Sequence, residues 1–337
     1  MATIKDVARV AGVAVSTVSA TLNESAPVSA EVRKRVWAAI AEVDYAPDAV
    51  ARSLRKGTTR LVGLVVSDIA NPFFAAATRV IETACNASGY GLVLYNTDED
   101  EAREAEVLRL TRIQRVAGLI LAPAGSGDAY AASLRKLLSV PTVTIDRRVD
   151  QLALDSVSLD NRRAARLAVD YLLRIGHRRI AVIAGREGVT TGEERLAGYR
   201  DAHEAAGIPV DETLVRFGNF RQEDAYETVR RMMEGETRPT AFFALNNLMT
   251  IGTMRGLTDI GFVCPDHVSV AGVDDFDWAT AFRPRLTTIA QPVEEMGRKA
   301  VDLLMGRIGG EAPARGRAEV FEPRLCVRES CAPIVSG

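Results

Sequence analysis

The chain has 337 residues, is 47% hydrophobic and 26% charged, and carries a formal net charge of −2. That length accommodates two or three domains with ample core, and the composition excludes a disordered or fibrous chain. No apolar run of about 18 residues occurs, so no membrane span is expected, and Lys5, Asp6 and Arg9 interrupt any apolar core of a secretory leader.

Charge is unevenly placed. Residues 1–60 hold nine basic and six acidic side chains, a net +3 against −5 for the remainder. A basic head on an acidic body suits attachment to nucleic acid. Thr3 followed by Asp6 predicts a capping box opening a first helix, with Ile4, Val7, Ala8 and Ala11 on one face and Gly12 as a left-handed stop. Val15, Val18, Ser19 and Leu22 begin a second helical stripe. A third helix fits 29–43, capped by Ser29, with Val32, Val36, Ile40 and Val43 inward. Helix, tight turn, helix and a supporting helix predict a helix-turn-helix domain over 1–46.

The second helix bears no Lys, Arg, Asp or Glu. Base edges can still be met by such side chains: Val15 and Ala20 suit thymine methyls and Ser16 suits either kind of edge. Thr17, Ser19 and Asn23 suit phosphate or backbone contacts. Affinity then falls to flanking groups such as Arg9, Arg33 and Arg55. In "YAPDAVARSLRKG", Pro47 stops one element, Asp48 caps another and Gly57 ends it. The short helix predicted over 49–56, in a linker spanning 47–59, is marginal alone. Leu54 there, between Ser53 and Arg55, has the composition of a minor-groove wedge.

"TIKDVARVAGV", "TVS", a "VS" leading a basic helix, and "YAPDAVARSL" occur in that order. Together they resemble the head and hinge of the lactose and purine repressor (LacI) family, over the whole head. The resemblance implies a homodimer on double-stranded, pseudo-palindromic operator DNA. The implied DNA contacts come from Thr3, Val15, Ser16, Thr17, Ser19, Ala20, Asn23, Ser29, Arg33, Ala51, Leu54 and Arg55. Two positions depart from the family pattern. Ala14 replaces a usual Ser, a cap whose loss costs about 1 kcal/mol, and Ala20 replaces a usual Arg or His, so a bidentate guanine contact is missing.

From Arg60 onward, apolar runs of strand length ("LVGLVV", "YGLVLY", "GLILAP", "PTVTID") alternate with helical stretches over 72–88, 101–116 and 128–138. The series repeats after residue 160 with "RIAVIAG", a strand near 214–217, "TAFFAL" and "VSVAGV". Helices are expected over 161–175, 193–206, 222–234 and 247–259. This predicts an α/β core of two doubly wound parallel sheets over 60–337, with a cleft between them. The expected halves are about 60–159 plus 291–318, and about 160–290 plus 319–330. "LTTIAQP", a helix over 293–307 and one strand near 318–327 are expected to cross between them.

This body resembles the periplasmic sugar-binding fold, of ribose-binding type, that the same family carries. The resemblance implies a cleft set: Asn71, Phe73 and Phe74 in "NPFF", Asp146 and Arg147 in "IDR", Arg195, Phe220, Asn246, Asp274 and Gln291. All are expected at strand ends or loops facing the cleft. The chemistry suits a monosaccharide. Phenylalanines cover the C–H faces of the ring, aspartates accept from vicinal hydroxyls, the arginines donate in a planar fork, and the amides do both. Asn247 stands where the family usually has Asp, and Val273 where ribose-type proteins often have an aromatic. A purine effector is disfavoured, because Arg147 and Val189 replace residues that bind it in the purine repressor.

No HExxH, GxSxG, GxGxxG or phosphate-loop run occurs, so no enzyme and no cofactor is expected. His177 reads as structural, His203 as a solvated helix residue and His267 as a turn residue, so no metal site is expected. The four cysteines form no CxxC and read as free thiols in a reducing cytoplasm. The expectation is a cytoplasmic repressor released from DNA by a small sugar, a pentose or hexose; the alternatives are a regulator responding to a nucleoside, polyol or sugar acid, and, further off, a sugar-binding transport protein.

Overall fold

In the computed structural model, described over residues 2–23, 26–45, 59–235, 238–313 and 315–334, the chain divides into two units, Met1–Thr59 and Arg60–Gly337. The expected hinge helix, with Ala51, Leu54 and Arg55, lies outside the described residues, as does the side chain of Asn23.

Among the described residues the first unit holds three helices: α1 Ile4–Ala11, α2 Val15–Asn23 and α3 Ala30–Glu42. The Thr3 amide and hydroxyl donate to Asp6 Oδ2 at 2.9 and 2.7 Å, closing the start of α1. Gly12 ends it at φ 62°, a conformation that costs a residue with a side chain far more. Val7, Ala8, Ala11, Val18, Val36 and Ala39 form the small core. Arg35 Nη2 donates to the carbonyls of Ala11 and Gly12 at 2.5 and 3.2 Å, tying α3 to the turn that aims α2.

The second unit is built on two six-stranded sheets. The first contains β1 Leu61–Val66, β2 Gly91–Asn96, β3 Gly118–Leu121, β4 Thr142–Ile145 and β5 Asp155–Leu159, connected through α4 Pro72–Ala87, α5 Glu101–Ile113 and α6 Gly127–Leu137. After α7 Asn161–Arg174 comes the second, with β6 Ile180–Ala184, β7 Val215–Phe217, β8 Ala241–Ala244, β9 Ser269–Val273 and β10 Thr287–Ala290. Its connecting helices are α8 Thr190–Ala205, α9 Gln222–Glu234 and α10 Asn247–Asp259. Then α11 Val293–Ile308 returns to pack on β3, β4 and α4. The chain ends with β11 Ala318–Phe321 and β12 Arg324–Cys326. The strand orders are β11-β5-β4-β3-β1-β2 and β12-β10-β9-β8-β6-β7. Every pairing is parallel except β10 with β12.

Two expectations need correction. The strand "DSVSL" at β5 was not anticipated, because only two of its five residues are aliphatic. It is nonetheless wholly buried, with its Asp155 carboxylate satisfied from outside the strand. Arg307 Nε and Nη2 each donate to it at 2.9 Å, and the Arg317 amide and Nη2 at 2.7 and 3.0 Å. Burial opposes ionisation there, but these hydrogen bonds outweigh it and hold the carboxyl well below its ordinary range. The single strand expected over 318–327 is instead two. β11 joins β5 in the first sheet and β12 joins β10 in the second, so the chain crosses between halves at Glu322 and Pro323.

Candidate functional site

Two places merit construction from their residues. The first is the outward face of α2. Val15 and Ser16 are exposed, Thr17, Ser19 and Ala20 half-buried, and Val18 and Thr21 buried in the head's core. The helix thus presents small, uncharged side chains without spending any that packing needs. Ala14 precedes it with only its carbonyl engaged, accepting from Thr17 and Val18 at 2.9 and 3.2 Å. Thr3 is occupied in capping α1, and Ser29 Oγ accepts from the Val32 amide at 3.4 Å to cap α3. Arg33 is exposed on α3.

The second place lies between the two sheets, at the carboxyl ends of their parallel strands, where open α/β sheets bind ligands. All ten expected cleft residues line one space there, joined by Asp68, Glu99, Thr191 and Leu248. From the first half, Asn71 caps α4, its Oδ1 accepting from the Phe73 amide at 2.9 Å. Phe73 and Phe74 follow in the first turn, packed edge to face with centroids 5.1 Å apart. Asp146 and Arg147 follow β4. From the second half come Phe220 after β7, Asn246 as the cap of α10 and Asp274 after β9, while Gln291 follows β10. Arg195 departs from the expectation of a strand end or loop: it projects from the second turn of α8.

Three of these residues hold left-handed backbone: Asp146 at φ 68°, Phe220 at 61° and Asp274 at 76°. Each such conformation costs roughly 1–3 kcal/mol and persists where the surroundings impose it. The Phe220 ring lies where a side chain at Gly185 would sit, 2.2 Å from an added Cβ, so Gly185 is what lets the ring cover this wall.

The charges compensate one another closely. Arg147 does not offer its fork to the space, as the sequence suggested. Its Nη1 and Nη2 donate to Glu99 at 2.7 and 2.6 Å, Nη1 also to the Pro123 carbonyl at 3.0 Å, and its guanidinium lies 5.3 Å from the Phe220 ring centre. Arg195 is held by Asn161 Oδ1 and the Leu245 carbonyl at 2.8 and 2.6 Å, leaving Nη2 3.9 Å from Asp146. Burial raises Asp146 to about 6 against the pull of Arg195 and Arg147, and raises Asp274 as well. Gln291 Nε2 donates to Asp274 Oδ1 at 2.5 Å. Asn247 spans the halves, its Nδ2 donating to Asn71 Oδ1 at 2.9 Å. An aspartate there would face that oxygen as a second acceptor, so the departure from Asp fits the local chemistry.

Two buried acceptors, Asn247 Oδ1 and Gln291 Oε1, and the Arg147 Nε–H have no hydrogen-bond partner. Buried groups of this kind call for an explanation, and hydroxyls supply one. About 20 Å³ of free space remains among the lining residues, room for about one water. Anything larger enters only if the halves part.

Glu99 and Asn247 were not singled out as cleft groups by sequence. Their partners lie 48 and 176 residues away, which no local spacing reveals. His203 is a correction: it is buried, with Nδ1 against the Tyr199 carbonyl at 3.0 Å and its ring on Tyr199. His177 is buried between Thr240 and Ser269, in keeping with a structural role. All four cysteines are buried free thiols. Among the described residues no cluster could hold a metal ion, and no helix is long and apolar enough to cross a membrane.

Residues 3–48 match the model of bacterial regulatory proteins of the lacI family, and residues 169–331 that of the periplasmic binding protein-like domain. The chain is 35% identical over 332 residues to the HTH-type transcriptional repressor PurR of Photobacterium profundum, covering 98% of each. Among solved structures it is similar to the lac repressor dimer bound to operator and an anti-inducer. There the TM-score is 0.86 and the identity 29%, over 98% of this chain and 99% of that one. It is also similar to a LacI family transcriptional regulator from Enterococcus faecium with bound ribose, with TM-score 0.70 and 30% identity, over 82% and 100%.

Proposed function

The chain belongs to the lacI family of bacterial regulatory proteins, and on that premise we propose that it is a transcriptional repressor whose hold on operator DNA is set by a small sugar in the cleft. The observation that carries the sugar reading is the convergence of ten residues from both halves on one space. Aromatic walls, two buried carboxylates and the unpartnered Gln291 amide oxygen there match a ring of hydroxyls. A pentose-sized monosaccharide is the class favoured, consistent with the ribose held by one structural neighbour. A sugar acid is disfavoured, because Glu99 already neutralises Arg147 and the remaining carboxylates outnumber Arg195. The PurR likeness does not carry a purine across, since Arg147 and Val189 stand where the purine repressor has other groups.

Two heads of a homodimer would place α2 in successive major grooves of a pseudo-palindromic operator, with Leu54 of each hinge in the minor groove. Sugar enters when the halves part and then stabilises the closed cleft, which shifts one half against the other and lowers operator affinity. A coupling of about 1–3 kcal/mol suffices for a switch. The protein acts in the cytoplasm by stoichiometric binding, without turnover. Thermal-shift screening against pentoses, hexoses, polyols and nucleosides, followed by operator titration with each hit, tests this. The expected result is one stabilising sugar that releases operator DNA. A purine hit, consumption of the sugar, or tighter operator binding with sugar would each overturn a named part of the reading.

A further inference from the structure

The loop between β2 and α5 carries four successive acids, Asp98 to Glu101. Two of them, Asp98 and Glu99, stand in left-handed backbone at φ 57° and 60°. The loop belongs to the first half, yet two arginines of the second half hold it. Arg186, after β6, donates to the Glu99 carbonyl and sets Nη2 3.8 Å from Glu101. Arg221, at the start of α9, donates from Nη2 to the Asp98 carbonyl at 3.2 Å and lies 3.8 Å from its carboxylate. Glu99 meanwhile turns its side chain inward and fixes Arg147 by two hydrogen bonds. One residue thus faces the cleft with its carboxylate and the opposite half with its carbonyl.

We propose that Asp98–Glu101 is the latch of the cleft: Arg186 and Arg221 hold the loop only when the halves are closed, and the held loop sets Glu99, which positions Arg147. Closure and the arrangement of the binding wall are then a single event. Neither arginine touches the binding space, so both are positioning residues. Their carboxylate contacts lie at a solvent-exposed rim, where ionic strength weakens them. The latch bears on sugar affinity only if the cleft reading is right, but its geometry can be tested without a sugar.

The test uses the full chain, wild type and an Arg186→Ala/Arg221→Ala double variant, with D-ribose as probe. Thermal unfolding confirms that the variant is folded. The double variant should bind D-ribose about tenfold more weakly, mainly through faster dissociation. Between about 0.05 and about 0.5 M salt, wild-type affinity should fall while the variant's stays flat. Without sugar, amide hydrogen exchange over 97–101 should accelerate in the variant, with exchange in β1 and β3 unchanged. A folded variant with wild-type exchange in the loop overturns the latch, as does unchanged D-ribose affinity. If the wild type binds no D-ribose, the pentose reading fails and the exchange measurement alone decides the latch.

Discussion

The outward face of α2 and the cleft between the sheets, each proposed to meet a partner, are built on opposite terms. The helix displays small uncharged side chains at the surface, where an unmet hydroxyl is met by water and costs little. The cleft places Asp146, Arg147, Arg195 and Asp274 out of water and leaves the Glu99 side chain little exposed. There each charge must be answered by another group, or its ionisation shifts. A surface reader can thus be changed residue by residue with small effects. A buried reader responds to one substitution through all its partners.

The largest effect expected from breaking this contrast is at Asp274. Asp274→Ala removes a buried acceptor and strands Gln291 Nε2. Sugar affinity should drop about 100-fold, near 3 kcal/mol, while operator binding without sugar is unchanged. Calorimetry and operator titration check both halves of that statement. A retained sugar response would remove Asp274 from the site.

Next comes pH. Asp146 is raised from 3.8 to about 6, so the folded chain holds that proton more tightly than the unfolded one. Its contribution to stability is therefore complete below about pH 4 and is lost as pH rises through about 6. Sugar hydroxyls that donate to the carboxylate favour its ionised form, so sugar affinity should weaken as pH falls from about 7 to about 5. In Asp146→Asn that slope should flatten, as followed by sugar titration across pH. An equal slope in the variant assigns the dependence elsewhere.

A smaller change is expected in the head. Ala20→Arg should add preference for guanine at one operator position, about 1–3 kcal/mol of discrimination, read by operator selection. An unchanged consensus would mean that position 20 does not face base edges. Smallest is Ala14→Ser, which supplies the missing cap of α2 and should stabilise the head by about 1 kcal/mol in thermal unfolding of the full chain. No gain would mean that the Ala14 position does not act as a cap.

The same contrast governs what could be read in advance. The helices of the head announce themselves through near neighbours: Thr3 with Asp6, Gly12 at the stop, Ser29 at the third start. Among the described residues of the core, eleven of the twelve strands are visible in the sequence, β11 and β12 as a single run. The exception is β5, whose aspartate is satisfied by Arg307 and Arg317 from the far end of the chain. The cleft set is what the resemblance to ribose-type binding proteins implies, and its ten residues line one space. The pairings within it are not legible in the sequence. That Glu99 fills the Arg147 fork, or that Asn247 reaches Asn71, depends on how two sheets meet, and no spacing encodes that. Arg195 falls within the helix expected over 193–206 as well as in the cleft set; the helix begins at Thr190, and its second turn carries Arg195 to the cleft.

The return of β11 to the first sheet bears on how the protein is made. The head precedes the core in the chain, and its described helices pack around a core of their own. The first sheet stays incomplete until residues 318–321 arrive to cover the edge of β5. The arginines that answer Asp155, at 307 and 317, arrive just as late. A chain cut short before them would carry a finished head on a body with an open strand edge and an unanswered buried carboxylate, features that favour aggregation and degradation. Truncation before residue 318 should therefore lower the amount of folded protein more than the loss of so short a segment suggests.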